Sequence, residues 1–154
     1  MKQLLITLLL FSSSLFAEEL KKGDVFPELQ LEDTSETARL IPSDTKKIFF
    51  ISDMTASKVI HTVLSDKPNN FLSDAKSVLI SDIHKMPSLI TRFVALPKMK
   101  GYSYPILLIR DDKTGSLFPH EKEKISYLRL YKGKIVSIQF LETIEDLEKA
   151  LSEK

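Results

Sequence analysis

The sequence predicts an α/β domain of three layers, with helices on the two faces of a central mixed sheet, on three observations. Three continuous apolar runs, Lys47–Ser52, Ser77–Ser81 and Tyr104–Ile109, are short and β-branched or aromatic, the pattern of strands covered on both faces. Segments of helical period separate them, as parallel crossovers require. Two further runs joined by Lys132-Gly133 make the clearest hairpin signal in the chain, and a capped amphipathic helix follows them.

In chain order, residues 1–17 come first, with a basic start at Lys2, an apolar run Leu4–Phe11 and a small polar stretch before Ala17. That layout predicts a secretory signal peptide cleaved after Ala17, and therefore a periplasmic protein with no stable membrane insertion after cleavage. The apolar run is about half of the roughly 20 residues that a spanning helix needs. An uncleaved anchor is the competing reading, because Leu15 is large for its place before the cut. Residues 18–154 then have the size of one compact domain. Gly23–Pro27 turns the chain into a half-buried strand at Glu28–Asp33, and Ala38–Ile41 reads as a second short strand. Lys47–Ser52 is the expected central strand. Asp53 or Thr55 caps a helix with Val59, Ile60, Val63 and Leu64 on one face, ending near Asp66-Lys67-Pro68.

After the strand Ser77–Ser81, Pro87 opens a helix in which Leu89, Ile90, Phe93, Val94 and Leu96 are expected to supply apolar contacts, with Pro97 closing it. Tyr104–Ile109 follows as a strand, Asp111–Gly115 as a turn, and Leu117-Phe118-Pro119 as an irregular connection. The hairpin strands are Ser126–Tyr131 and Lys134–Phe140. Thr143 caps the last helix, with Glu145 and Asp146 in its first turn and Ile144, Leu147 and Leu151 on one stripe.

This element order resembles a thioredoxin-like domain with an N-terminal β extension and a C-terminal helix. Gly23-Asp24-x-Phe26-Pro27-x-Leu29-x-Leu31 resembles the opening of the peroxiredoxin and TlpA-like branch, Lys47–Lys58 resembles the strand-to-helix turn that carries the redox motif, and Leu128–Leu151 resembles the terminal hairpin and helix. The resemblance places Met54-Thr55-Ala56-Ser57 where Cys-x-x-Cys would stand, and Lys124-Ile125-Ser126 where a cis-proline would face it. The chain has no cysteine at all. Thiol–disulfide and peroxiredoxin chemistry is thereby excluded, since neither a thioether nor an alcohol replaces a thiolate. A closer resemblance is to the Cys-poor, periplasmic YtfJ-like family of unassigned function. It rests on the Thr55–Lys58 turn, the Tyr104-Pro105 strand, the Asp112-x-x-Gly115 loop and the Gly133-Lys134-Ile135-Val136 hairpin.

With 22 Lys and Arg against 21 Asp and Glu, the charge is balanced and evenly mixed, which argues against nucleic acid or anionic lipid as the main partner. Lys21-Lys22 and Lys46-Lys47 are too short to be patches. The leading expectation is a non-catalytic protein that binds an unknown protein or peptide through the degenerate turn Asp53, Met54, Thr55, Ala56, Ser57 and Lys58, whose free N–H groups and basic side chain suit an anion or carbonyl. The plainer reading of the same turn is that Asp53 or Thr55 only caps the helix and Ser57 and Lys58 are solvated. Tyr102, Tyr104, Phe118 and Pro119 are expected either to line a groove beside that turn or to pack in the core. The alternative function is a metal binder or non-thiol enzyme using Asp53, Lys58, His84 and His120, with Asp82 and Asp111 near the same strand ends. A third is permanent packing against a partner subunit. No cofactor is implied, and no pair among His61, His84 and His120 has metal-ligand spacing.

Overall fold

The computed structural model describes residues 18–154, so the expected signal peptide of residues 1–17 lies outside the described residues. The elements run β1 (Gln30–Asp33), β2 (Ala38–Leu40), β3 (Lys47–Ile51), α1 (Met54–Leu64), α2 (Phe71–Asp74), β4 (Ser77–Asp82), α3 (Ser88–Ile90), a π-helical turn (Thr91–Ala95), α4 (Leu96–Lys100), β5 (Leu107–Ile109), α5 (Asp112–Gly115), β6 (Ile125–Tyr131), β7 (Lys134–Leu141) and α6 (Ile144–Ser152). The strands form one seven-stranded sheet in the order β2-β1-β5-β4-β3-β6-β7. β3, β4 and β5 are parallel, while β1 against β5, β6 against β3 and the two outer pairs are antiparallel. This is the expected mixed sheet. Among the described residues no helix is long and apolar enough to cross a membrane.

β3 explains why a continuous apolar run still obeys a period of two. Phe49 and Ile51 point into a core with Ile60, Leu64, Tyr127 and Leu147 beneath α1 and α6, whereas Ile48 and Phe50 join Leu31, Phe118, Leu128 and Ile135 on the other face. Both faces are dry. The second face is covered by the N-terminal segment around Leu20 and by the chain leaving α5, so this layer is thin.

Caps and turns follow local chemistry. In α6 the Thr143 hydroxyl accepts from Asp146 N at 3.1 Å and the Asp146 carboxylate accepts from Thr143 N at 3.2 Å, a reciprocal capping box. Lys132 and Gly133 adopt φ of 50° and 77°, the left-handed pair that a two-residue hairpin turn requires. Lys47 is buried at the start of β3, and its ammonium donates to the carbonyls of Ala150, Leu151 and Glu153, closing the C-terminal end of α6.

Five local expectations are corrected. The helix after Pro87 does not end at Pro97 but runs on to Lys100, because a widened turn precedes the proline. Leu96 N–H reaches back five residues to Thr91 O, and this π geometry accommodates a ring that would clash in a regular α turn. Leu89, Ile90, Phe93 and Val94 are solvent-exposed rather than core residues, while Ala95 and Leu96 are buried. The extra residue rotates the preceding turn by about 100° relative to the following one, so the apolar residues no longer form one inward stripe. Ile144 is likewise exposed. Tyr104–Ile106 precedes β5 instead of extending it, and the Asp111–Gly115 turn contains the one-turn helix α5, with Asp111 accepting from Thr114 N at 2.8 Å. α2, with Leu72 as its one buried residue, is too short to show a period.

Candidate functional site

Parallel strands β3, β4 and β5 deliver their C-terminal ends to one rim of the sheet, the usual place for a site in an open α/β fold. β3 delivers Ser52 and the α1 turn, β4 delivers Asp82 and His84, and β5 delivers Arg110 and the α5 turn.

At the α1 turn, Asp53 Oδ1 accepts from Ala56 N at 3.0 Å, and Oδ2 accepts from Glu123 N at 2.8 Å in the loop before β6. The helix N-terminus, where a thiolate or foreign anion would sit, is thus served by the chain's own carboxylate. Asp53, not Thr55, is the cap. Met54 is 61% exposed, Thr55 and Lys58 are exposed, and Ser57 is half-buried. Ala56 is fully buried in the helix-side core, so it is not available to a ligand. Its side chain points inward because it follows the cap by three residues, on the same face as Ile60 and Val63.

Beside this turn lies a cavity of about 140 Å³ lined by Ser52, Asp82, His84, Asp112, Gly115 and His120, among others. Asp82 Oδ1 accepts from His84 Nδ1 at 2.6 Å and from the His84 backbone N–H at 3.0 Å, while His84 Nε2 stands 3.3 Å from Asp112 Oδ1. Asp82 and His84 are both largely buried, and both ring nitrogens of His84 face carboxylates. Asp82 thereby fixes the orientation of the imidazole and leaves Nε2, beside Asp112, as its outward nitrogen. His120 donates from Nδ1 to Phe118 O at 3.1 Å. Among the described residues, no three histidine or acidic side chains are placed to hold a metal ion.

The structure therefore brings His84, His120 and Asp82 to one cavity, but Asp53 and Lys58 do not line it. Asp111 is used as the α5 cap. His61 lies elsewhere, with Nδ1 2.9 Å from the Tyr104 hydroxyl and its ring 4.4 Å from that of Tyr102. Burial pushes the Tyr104 phenol well above its ordinary value. The groove expected from Tyr102, Tyr104, Phe118 and Pro119 is not formed. Tyr102 and Tyr104 pack with the helix-side core, whereas Phe118 is fully buried on the opposite face, stacked on Phe50 at 4.7 Å, and Pro119 is buried beside it. Side chains on opposite faces of the sheet cannot line one groove.

Two features were missed from sequence. Gly115 sits so close to the acid–imidazole pair that a Cβ there would lie 2.5 Å from Asp82 Oδ2 and 3.1 Å from His84 Nδ1. Its scarcity was the available signal, since the chain has only four glycines. The second feature is a larger cleft of about 650 Å³, which shares His84 with the small cavity and is lined by Met86, Arg92, Leu96, Lys100 and Arg110. Arg110 is tied to Glu32 at 3.1 Å and Glu36 at 3.4 Å, leaving Arg92 and Lys100 as the cleft's uncommitted cations among the described residues.

No family model matches the chain, and no curated protein matches it. Solved structures do. Peroxidoxin BcpB from Mycobacterium tuberculosis matches with a TM-score of 0.55 at 13% identity, over 87% of this chain and 96% of that one. A thio-disulfide isomerase from Thermus thermophilus matches at 0.53 and 20%, over 86% and 95%. The thioredoxin domain of a thiol-disulfide oxidoreductase from Bacteroides vulgatus matches at 0.51 and 15%, over 87% and 100%. At such identities the likeness speaks for the backbone and not for the chemistry. The chain has a thioredoxin-like fold, and it carries no cysteine with which to perform the reactions those neighbours are named for.

Proposed function

We propose that the protein is a periplasmic, non-catalytic thioredoxin-like domain, of the Cys-poor branch that includes the YtfJ-like family, and that it binds a protein or peptide at the strand-end rim. The observation that carries this reading is the apolar stripe on the helix beside the rim. Leu89 and Phe93 are 69% and 66% exposed, and Ile90 and Val94 flank them at helical spacing. Contiguous apolar surface of this kind is uncommon on a solitary soluble domain and marks a docking face. The stripe borders the cleft that holds Arg92 and Lys100, so the fitting partner is a segment with apolar residues next to acidic ones. Met54, exposed at the start of α1 after β3, offers the rim a further apolar side chain that adapts to varied contacts.

The test places a photo-crosslinking residue at Phe93, at Met54 and, as a control, at Glu148, which is exposed on α6. Discrete adducts in the cell envelope are expected from the first two positions and not from the third. Adducts from all three alike, or from none, would overturn the reading, and fractionation of the mature chain away from the periplasm would overturn the location.

A further inference from the structure

Folding builds a basic cleft that the sequence conceals, at the end of the sheet opposite the strand-end rim. From this we infer a second binding site, one for a small soluble polyanion carrying two or more phosphate groups. The cleft has a volume of about 390 Å³ and is lined by Lys46, Lys47, Lys76, Arg129 and Lys132 together with Asp44 and Glu153. These residues come from four separate stretches of chain, which is why two adjacent lysines in the sequence look like no patch at all.

The charges do not cancel. With Lys154, six cationic side chains face two carboxylate side chains, a surplus of four in a chain whose whole formal charge is +1. Asp44 is taken up by Lys76 at 2.9 Å, and Glu153 is shared between the Tyr127 hydroxyl at 3.0 Å and Arg129 at 3.5 Å. Lys46 and Lys132 have no carboxylate within ion-pair distance among the described residues. Lys132 is held by the hairpin turn at φ 50°, with its ammonium 5.5 Å from the centre of the Tyr131 ring.

Lys47 adds a further role at the inner wall. By donating to the carbonyls at the end of α6 it neutralises the negative pole of that helix, which would otherwise repel an anion. Burial holds its ammonium below the ordinary value; Glu153 opposes that shift, whereas the nearby charges of Arg129 and Lys46 reinforce it. The cleft falls in the size range of small-molecule sites, about 300–1,000 Å³. A monocarboxylate would offset only one of the surplus charges, whereas a diphosphate or triphosphate group offsets several with oxygens suited to Arg and Lys donors.

The test is calorimetric titration of the mature protein with inorganic pyrophosphate and tripolyphosphate. Saturable one-to-one binding is expected, weakened at least tenfold by the pair Lys46→Glu and Lys132→Glu, with an unchanged thermal midpoint showing that the fold is intact. The control pair Lys98→Glu and Lys122→Glu, both exposed and outside either cleft, makes the same change in net charge elsewhere and is expected to leave affinity unaltered. Vesicles containing phosphatidylglycerol provide the second arm, and failure to bind them is expected of a soluble ligand. The inference is overturned if neither phosphate probe saturates, if the control pair weakens binding equally, or if the protein prefers the vesicles.

Discussion

Asp53 closes the first turn of α1 with one carboxylate oxygen and holds the loop before β6 with the other, so a single side chain fixes the geometry of the degenerate turn. Asp53→Ala removes both bonds and is expected to cost about 1–2 kcal/mol in urea unfolding, as for a lost cap. Asp53→Asn, whose amide oxygen still caps the helix, should cost less, and an equal loss from both variants would mean that charge and not capping matters. Gly115 presents the opposite case, in which the absent side chain is what counts. The Cβ of Gly115→Ala would overlap Asp82 Oδ2, and because Asp82 is anchored to His84 it has little freedom to withdraw. A destabilisation of roughly 1–3 kcal/mol is expected, as for overpacking, together with a shift of the His84 ring resonances in NMR spectra. Unchanged resonances would show that the pair tolerates the methyl group.

At the scale of elements, the helix from Ser88 to Lys100 governs how the rim meets solvent. Its π turn accommodates Pro97 and turns Leu89, Ile90, Phe93 and Val94 outward. Replacing Phe93 and Val94 together by serine should therefore change unfolding free energy by only about 0.5 kcal/mol, as at ordinary surface positions. The same double change should sharply reduce binding of a hydrophobic dye, and a loss of several kcal/mol would instead place these residues in the core. This helix also marks the limit of legibility in the sequence. The central strands, the Lys132-Gly133 hairpin and the Thr143 cap were readable because each carries its signal within a few adjacent residues. The π turn was not, since apolar residues at 89, 90, 93, 94 and 96 fit a buried stripe until one inserted residue rotates half of them away. The candidate site was legible in the same uneven way. Local pattern narrows the cap to Asp53 or Thr55, but it leaves Phe118 and Tyr104 open between a shared groove and the core, because nothing local says on which face of a sheet each will fall.

For the molecule as a whole, the decisive fact is that one sheet separates two cores, and the two buried tyrosines both belong to the helix-side one. Tyr127 stacks on Phe49 at 4.9 Å and donates its hydroxyl to Glu153 at 3.0 Å, while Tyr104 packs against His61 and Tyr102. Burial pushes both phenols above their ordinary value near 10, and for Tyr127 the hydrogen bond to Glu153 adds to the shift. Between the unfolded and folded values the native protein holds protons that the unfolded chain has released, so stability falls as pH rises through that window. Below about pH 10 the phenols are protonated in both states and this contribution is complete. Lys47 acts in the opposite direction. Its ammonium is depressed by burial, so over the interval just below 10.5 the unfolded chain binds the extra proton and stability rises with pH. The raised phenols, joined by the raised ammonium groups of Lys21 and Lys124 beside Glu18 and Glu121, outnumber Lys47, and a net decline is expected above pH 10. Urea unfolding followed from pH 8 to pH 11.5 should show that decline in the native sequence. The double variant Tyr104→Phe and Tyr127→Phe should begin from a lower stability at pH 8, having lost two hydroxyl contacts, yet lose much less of it above pH 10, because the contribution of the two buried phenols is gone. Parallel profiles for the two proteins would show that the alkaline transition is not governed by the buried phenols.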